Sequence, residues 1–279
     1  MAHEIRPLDN RSVDMLRAII SRDPVRHCYV ASRLAQGGHG LFKHSFSDVL
    51  GYFDDGHLKS AILLGANVVP INTSSVARQE FARVLSRQGR RCSSIVGQSE
   101  EVLDLWRMLE GAWGVAREER TNQPMLAMNT NSLIQSDPEV RYATKSDLDI
   151  VMPACIDMFT GEVGVSPVAH GAGHAYRNRI ADLISQRRSL VKVVNNEVIF
   201  KAEVGAVGQG VAQVQGVWVK PELRGQGLAA PAMAAVVNKV RTDIAPHVSL
   251  YVNDFNAPAL ATYRKVGFTQ VDTFATVLF

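Results

Sequence analysis

The residues with the clearest potential for chemistry lie in one segment, 216–231, with the sequence G-V-W-V-K-P-E-L-R-G-Q-G-L-A-A-P. Two of its glycines permit a tight turn and bring the backbone close to a ligand with no Cβ in the way. An apolar pattern at helical spacing follows directly, so the loop opens into a helix, whose N-terminal N–H groups and dipole favour an anion such as a pyrophosphate. The donors predicted to converge there belong to Gly225, Gln226, Gly227, Leu228, Ala229 and Ala230, with Arg224 as a charge contact at the rim.

A strand must lead into this loop. Residues 211–219 form an apolar run that we predict to be a buried strand, and Pro221 ends it because proline has no N–H for a sheet ladder. A strand–turn–helix corner whose glycines serve packing alone is the alternative. Taken alone, the two glycines favour this packing-only alternative.

A second segment, residues 250–268, favours a ligand site over the packing-only alternative. It reads L-Y-V-N-D-F-N-A-P-A-L-A-T-Y-R-K-V-G-F. Taken in order, R-G-Q-G-L-A and N-x-x-A-x-x-x-Y-x-x-x-G-F resemble the pyrophosphate loop and the C-terminal signature of the GCN5-related N-acetyltransferase (GNAT) superfamily, which uses acetyl-CoA. The resemblance covers residues 139–279. A fainter similarity links residues 1–130 to the degenerate N-terminal domain of tandem GNAT proteins found in actinobacteria.

This resemblance implies a role for several residues. Backbone groups of Val217, Trp218 and Val219 would pair with the pantetheine arm of CoA as if it were an added strand, since the fourth and fifth strands of this fold splay apart. The N–H of Val219 or Trp218 would also polarise the thioester carbonyl. Asn256 would contact the CoA arm near the sulfur. Tyr263 would donate its proton to the leaving thiolate.

The base that would deprotonate the attacking amine is the weak point of the resemblance. Several family members place a glutamate on the fourth strand or five residues before the signature asparagine. Those places here hold Gln213, Gln215 and Tyr251. The sequence departs from the family pattern, so another residue must take the proton.

Glu203 is our candidate for that role. On the strand 198–204, apolar residues alternate so as to share one face, which leaves Lys201 and Glu203 on the other. A carboxylate beside the substrate cleft could pass the proton through water. The alternative is a solvated strand face that carries an ordinary Lys–Glu pair.

The chain divides at a polar, helix-poor stretch, residues 129–137. We predict a degenerate GNAT-like domain at residues 1–135 and a catalytic GNAT domain at residues 139–279. Both halves show alternating strand and helix patterns, the first with a strand over Ala61–Ile71. Internal duplication explains this, and chance similarity of two α/β patterns is the alternative. The expected fold class is α/β, with two tandem GNAT-like domains that each have a mixed sheet between helices.

The first half lacks the cofactor loop. Its predicted strand is followed by N-T-S-S-V-A, which contains no glycine, and side chains there would block the close approach of CoA phosphates. Trp106 also occupies the place equivalent to Tyr263. We therefore predict that this half binds no acetyl-CoA.

The composition limits the classes of partner and compartment. A net charge of +3 suits an anionic ligand but is too small for a nucleic-acid footprint, and 46% hydrophobic residues exclude intrinsic disorder. No apolar run approaches the roughly 20 residues of a membrane span, and no secretory signal is visible. Three scattered cysteines favour a reducing cytoplasm and give no metal-binding spacing. We expect a cytoplasmic monomer or homodimer, with no metal, that binds neither nucleic acid nor membrane.

The leading interpretation is an acetyl-CoA-dependent N-acyltransferase in which the primary amine of a small molecule attacks the acyl carbon directly. A protein N-terminus or a lysine is the alternative acceptor within the family, and Tyr251 at the usual base position of N-terminal acetylases argues against it. A non-catalytic acyl-CoA-binding sensor is the alternative outside the enzyme class. The absence of a glutamate at the usual base positions is compatible with a protein that binds acyl-CoA without turnover.

Overall fold

The computed structural model describes residues 3–9, 11–36 and 49–279, apart from the side chain of His170. The chain forms two compact units. The first comprises Met1–Met125, Tyr251–Asn256 and Gln270–Phe279, and the second comprises Leu126–Leu250 and Ala257–Thr269. These units are defined by spatial contacts, whereas the ranges 1–135 and 139–279 are sequence domains, which remain a prediction.

The first unit is a mixed sheet with helices. Its strands are β1 (His3–Pro7), β2 (Val49–Asp54), β3 (His57–Leu63), β4 (Asn67–Ile71), β5 (Ser94–Gln98), β6 (Glu118–Met128) and the last strand of the chain, β12 (Thr269–Leu278). Its helices are α1 (Ser12–Ile20), α2 (Cys28–Gln36), α3 (Ser75–Gln88) and α4 (Ser99–Trp113). The strands lie in the order β1-β2-β3-β4-β5-β12-β6, antiparallel from β1 to β4 and parallel between β4 and β5.

The single strand expected over Ala61–Ile71 is wrong. The segment folds back on itself as β3 and β4, so that Ala61 pairs with Ile71 and Leu63 with Val69. Residues 64–66 form the connection between them. The apolar run was long enough to read as one strand, although it supplies two.

Hydrophobic residues fill both faces of the first sheet. Leu50 and Ile62 pack in one cluster with residues of α3 and α4, whereas Val49 and Ala61 pack in another with residues of α1 and α2. Successive side chains of a strand point to opposite faces, so this division follows from the period of two. The sheet is therefore covered on both sides, as the sequence predicts.

The second unit repeats this plan. Its strands are β7 (Arg141–Tyr142), β8 (Ser189–Val194), β9 (Glu197–Gly208), β10 (Val211–Val219) and β11 (His247–Tyr251), and its helices are α5 (Leu148–Val163), α6 (Gly173–Ser185), α7 (Ala229–Asp243) and α8 (Ala257–Val266). The strand order is β11-β10-β9-β8-β7. All neighbours are antiparallel except β10 and β11, which are parallel.

The start of α5 shows how local sequence fixes these elements. Thr144 and Asp147 form a capping box, in which the Asp147 carboxylate accepts the Thr144 N–H at 2.7 Å. The Arg141 guanidinium also bonds this carboxylate and is the main cause that holds the pKa of Asp147 well below its usual range. The helix ends at Gly164, whose φ of 78° suits a glycine.

The two units share one order of elements. In each, three antiparallel strands (β2-β3-β4 and β8-β9-β10) lead to a helix, a parallel strand and a further helix. The fold class predicted from sequence, α/β with two tandem units, is thus confirmed. Within residues 3–9, 11–36 and 49–279, no helix combines the length and hydropathy that crossing a membrane requires.

Candidate functional site

Strand β10 separates from its parallel neighbour partway along its length. The β10–β11 pairing joins Val211 to His247 and Gln213 to Ser249, and it ends there. On its other side β10 stays paired with β9 as far as Val219, opposite Phe200. The second half of β10 therefore has an edge that leaves β11, as the resemblance implies.

The backbone groups at this edge can be assigned from the ladder. The N–H of Lys220 donates to the Ile199 carbonyl of β9 at 3.0 Å. Because alternate residues of an antiparallel strand bond to the same neighbour, Trp218 also faces β9 and Val219 faces the opposite edge, whereas Val217 lies within the register shift between Gln215 and Trp218. The open edge therefore presents the backbone of Val219 and not that of Trp218, and the binding of a ligand there remains a prediction.

Arg224 supports this assignment. Its Nε donates to the Val219 carbonyl oxygen at 3.0 Å, so that oxygen points away from β9. The Arg224 side chain is exposed, as a residue at the rim of an anion site would be. Its bond to Val219 ties the glycine loop to the strand edge.

The glycine loop follows a short 3-10 turn and leads into α7. Gly225 has a φ of 76° and Gly227 a φ of 80°, and a Cβ built on either would have no atom within 4 Å. Other residues would be strained at these angles, so the loop depends on glycine for its conformation and faces open space. The N-cap residue of α7 is Leu228, whose side chain makes no capping hydrogen bond. The orphan N–H groups of its first turn fit a phosphate anion.

Tyr263 lies on α8 with a buried side chain. Its ring meets that of Phe268 edge-on, with the centroids 5.8 Å apart. Burial is the main cause that raises the pKa of Tyr263 above its ordinary value, and the negative charge of Glu162 adds to the effect. The phenol therefore keeps its proton at neutral pH, which a general acid requires.

Asn256 immediately precedes α8, and its N–H donates to the Asn253 carbonyl at 3.0 Å. Its side chain is exposed. By spatial contacts Asn256 belongs to the first unit, whereas Tyr263 belongs to the second. Its contact with the CoA arm remains a prediction.

Glu203 is 3% exposed and Lys201 is 0% exposed, so the strand face that carries them is not solvated. The two side chains form an ion pair with Nζ and Oε1 2.6 Å apart. Helix α5 covers them, and the Cys155 thiol contacts Glu203 Oε1 at 3.6 Å. Burial also raises the pKa of Cys155 to about 12, so that thiol stays protonated. The role of Glu203 as base remains a prediction.

The regular alternation expected along the strand 198–204 is interrupted. The β8–β9 register shifts between Lys192 and Val193. Val198 consequently packs in the cluster of α5 and α6 that also holds Val191, the residue opposite Lys201. A bulge of this kind places two successive residues against one, which a period of two cannot reveal.

Two contacts at the site had no counterpart in the sequence analysis. The Trp218 indole N–H donates to Asp157 Oδ2 of α5 at 2.7 Å, and Lys201 Nζ donates to the Gly216 carbonyl at 3.0 Å. Neither pair has a spacing or motif that would reveal it. The first joins residues distant in the chain, and the second depends on the irregular backbone of β10.

The corresponding loop of the first unit is built differently. After β4, the helix α3 is capped by Ser74, whose hydroxyl accepts the Ala77 N–H at 3.2 Å. The Glu101 carboxylate accepts the N–H and the hydroxyl of Thr73. Trp106, at the place of Tyr263, donates its indole N–H to Glu119 at 2.9 Å. The polar groups of this loop are thus bonded to side chains of the same unit.

Comparison with known proteins agrees with this geometry. Residues 159–268 match the family described as Acetyltransferase (GNAT) family, and residues 47–151 match a domain of unknown function, DUF4081. A curated relative, the mycothiol acetyltransferase of Saccharomonospora viridis, is 41% identical over 66 residues, which cover 24% of this chain and 22% of the relative. That match spans less than a quarter of either protein.

Solved structures share the fold along the whole chain. A GCN5-related N-acetyltransferase from Sphaerobacter thermophilus aligns with a TM-score of 0.60 and 12% identity over 99% of this chain and 95% of its own. A tandem GNAT protein from the clavulanic acid biosynthesis pathway aligns with a TM-score of 0.55 and 13% identity, over 99% of this chain and 98% of its own. Residues 159–268 therefore form a domain of the GNAT acetyltransferase family, and the chain as a whole has the fold of the solved tandem GNAT protein.

Proposed function

We propose that the second unit is an acetyl-CoA-dependent N-acyltransferase that acts on the primary amine of a small molecule. The observation that carries this proposal is the uncapped N-terminus of α7 behind Gly225 and Gly227, whose positive φ angles and open surroundings fit a diphosphate. The split edge of β10 supports it, since Val219 is placed to extend the ladder to a pantetheine arm. Acetyl-CoA, when bound, supplies the reactive thioester.

The residues of this chain would divide the work of acyl transfer. The amine nitrogen forms a bond to the acyl carbon while the carbon–sulfur bond breaks. The N–H of Val219 donates to the carbonyl oxygen as negative charge develops there, which favours the transition state. Tyr263 gives its proton to the leaving thiolate and yields the free thiol. Asn256 remains a proposed contact near the sulfur, by its place in the motif.

We retain Glu203 as the proposed acceptor of the amine proton, through water. Ser189 of β8 lies directly opposite Glu203, and its buried hydroxyl has no hydrogen-bond partner among the described residues. A buried hydroxyl of this kind fits a bound water. A water chain beside Glu203 would let a buried carboxylate receive a proton without contacting the amine.

The acceptor class is the least constrained part of the proposal. The name of the Saccharomonospora viridis relative indicates a small-molecule acceptor for that protein, but the shared segment is short. A protein N-terminus or lysine is the alternative acceptor. A non-catalytic acyl-CoA sensor is favoured by one observation, which is that Glu203 is already bound to Lys201 while Gln213 and Gln215 stand where a base is usual.

Calorimetric titration with CoA, followed by a thiol-release assay with acetyl-CoA and a panel of small amines and peptides, tests these possibilities. The proposal predicts CoA binding and thiol release that depends on a small amine. Release only with peptides would assign a protein acceptor. CoA binding without turnover on any amine would assign a sensor, and no CoA binding would overturn the proposal.

A further inference from the structure

The buried ion pair of Lys201 and Glu203 needs a reason to exist, because burying two charges is costly. Both side chains come from β9, two positions apart, and are almost wholly removed from solvent. Taking an ammonium and a carboxylate out of water costs several kcal/mol for each ion, and their attraction offsets this only when further hydrogen bonds complete the site. A buried ion pair is thus weak evidence for stability. Its other contacts show what it holds.

The second contact of Lys201 is to the backbone of β10. Its Nζ donates to the Gly216 carbonyl oxygen at 3.0 Å. Gly216 lies in the irregular part of β10, where the register with β9 shifts between Gln215 and Trp218, and it has a φ of 57°. A bulged residue is left out of the ladder, so its carbonyl needs another donor. The Lys201 ammonium supplies that donor.

Side chains of two elements enclose this bulge. A Cβ on Gly216 would lie 2.9 Å from Met158 Cε of α5 and 3.2 Å from Lys201 Nζ. Only a glycine fits between these groups without displacing one of them. The Glu203 carboxylate holds the ammonium from its other side. The bulged residue is therefore enclosed by Met158, Lys201 and Glu203.

This bulge directly precedes the strand edge of the proposed acyl-CoA site. Val219 follows this bulge and presents its backbone groups to the split between β10 and β11, while Val217 adjoins Gly216 directly. Bulges bend a strand and change its twist, so they set the direction of the residues that follow. The Lys201–Gly216 bond therefore acts on the orientation of the Val219 N–H.

We propose that Lys201 is a positioning residue, which fixes the Gly216 bulge and thereby the edge of β10 that binds acyl-CoA. The inference rests on the proposed function and deepens it. Lys201 acts through Gly216 and makes no contact with the substrate. Glu203 keeps the ammonium in place, whether or not it also accepts a proton during the reaction.

The double variant Lys201→Met/Glu203→Gln tests this inference. It removes both buried charges together at similar volume, which avoids leaving one ion unpaired. We expect native circular dichroism, a CoA dissociation constant raised about tenfold, and amide hydrogen exchange at Lys220, whose N–H bonds to the Ile199 carbonyl, accelerated to a similar degree, the size expected for the loss of one hydrogen bond. Should this variant not fold, Lys201→Gln/Glu203→Gln is the second variant. Its two amide side chains can bond to each other, but the side chain at position 201 is too short to reach Gly216.

Two controls separate positioning from other roles. Lys192→Met/Asp137→Asn removes another largely buried lysine–aspartate pair of the second unit, whose atoms lie 2.7 Å apart, and should leave CoA affinity unchanged. Glu203→Gln alone keeps an amide oxygen that can accept a hydrogen bond from the Lys201 ammonium, so the ammonium stays at Gly216 and CoA affinity should remain within about twofold, with the expected defect in proton transfer.

The outcomes are distinct. A folded double variant with wild-type CoA affinity and unchanged exchange at Lys220 would overturn the inference, as would an equal loss in the Lys192→Met/Asp137→Asn control. If the wild-type protein does not bind CoA, the proposed function fails. The exchange measurement then still decides whether Lys201 holds the strand edge.

Discussion

The carboxylate of Glu101 accepts two hydrogen bonds from Thr73, from the backbone N–H at 2.9 Å and from the hydroxyl at 2.7 Å. Thr73 lies in the loop between β4 and α3, which corresponds in the order of elements to the glycine loop of the second unit. The chain itself thus places a negative group where the second unit offers N–H groups to an external anion. This contrast gives a physical reason for the prediction that the first unit binds no CoA.

Glu101 should make the stability of the protein depend on pH in a defined direction. Burial is the main cause that raises the pKa of Glu101, and the bonds from Thr73 oppose it. A carboxyl with a raised folded-state pKa contributes stability that is fully present below its unfolded pKa and is lost as pH rises through the folded value. We expect the melting temperature of Glu101→Gln, relative to wild type, to rise between about pH 4 and pH 7.

The neighbouring Glu100 provides the control for this measurement. Its side chain is 76% exposed and forms an ion pair with Arg78. The substitution Glu100→Gln should change the melting temperature without the same dependence on pH. A melting-temperature difference for Glu101→Gln that stays constant or falls over this pH range would contradict the buried-carboxyl account.

Substitution of the loop glycines should separate ligand binding from backbone strain. Gly227→Ala forces an L residue to a φ of 80°, which costs roughly 1–2 kcal/mol, and puts a methyl group on the surface proposed for the diphosphate. Gly114→Ala imposes a φ of 82° in the first unit, also with no atom near its Cβ. Both variants should lose similar stability by thermal melting. Calorimetry should show CoA affinity reduced about tenfold or more for Gly227→Ala alone.

The glycine loop could be predicted from the sequence because its signal, two glycines directly before an apolar helix, lies within one short segment. Local periodicity did not predict how deeply Glu203 is buried, since alternation shows that two side chains share a face and not what covers it. The cover is α5, which precedes Glu203 by about 40 residues in the chain and reaches it only in the folded unit. The bulge at Gly216 was equally hidden, because its donor, Lys201, comes from another strand.

Tyr263→Phe should lower turnover with little effect on cofactor affinity. The phenylalanine ring can keep the edge-on contact with Phe268, while the hydroxyl proton proposed for the leaving thiolate is lost. We expect kcat to fall about 100-fold, within the range for removal of a general acid, and the dissociation constant for acetyl-CoA to stay within about twofold. Tyr142→Phe is the matched control, since that hydroxyl donates to the Lys239 carbonyl. Wild-type kcat in Tyr263→Phe would remove the general-acid role.

Glu203→Gln should change the pH dependence of kcat/KM. If Glu203 takes the amine proton through water, its amide replacement lowers kcat/KM by about 100-fold and alters the limb of the profile that reports the base. Glu197→Gln is the control, because Glu197 lies on the same strand and pairs with Lys220 at 2.6 Å, but is 57% exposed. That variant should retain the wild-type profile.

The Glu203→Gln variant also distinguishes two roles of the Glu203 carboxylate, as a base for the amine and as the ion-pair partner of Lys201. In this variant the Lys201 ammonium still donates its hydrogen bond to the Gly216 carbonyl, so the edge of β10 stays in place and acetyl-CoA still binds. A loss of turnover at unchanged affinity would then belong to proton transfer. A loss of affinity would mean that the carboxylate serves to hold Lys201, and a kcat/KM unchanged at every pH would exclude Glu203 from the reaction. The amine would in that case lose its proton to a group other than Glu203.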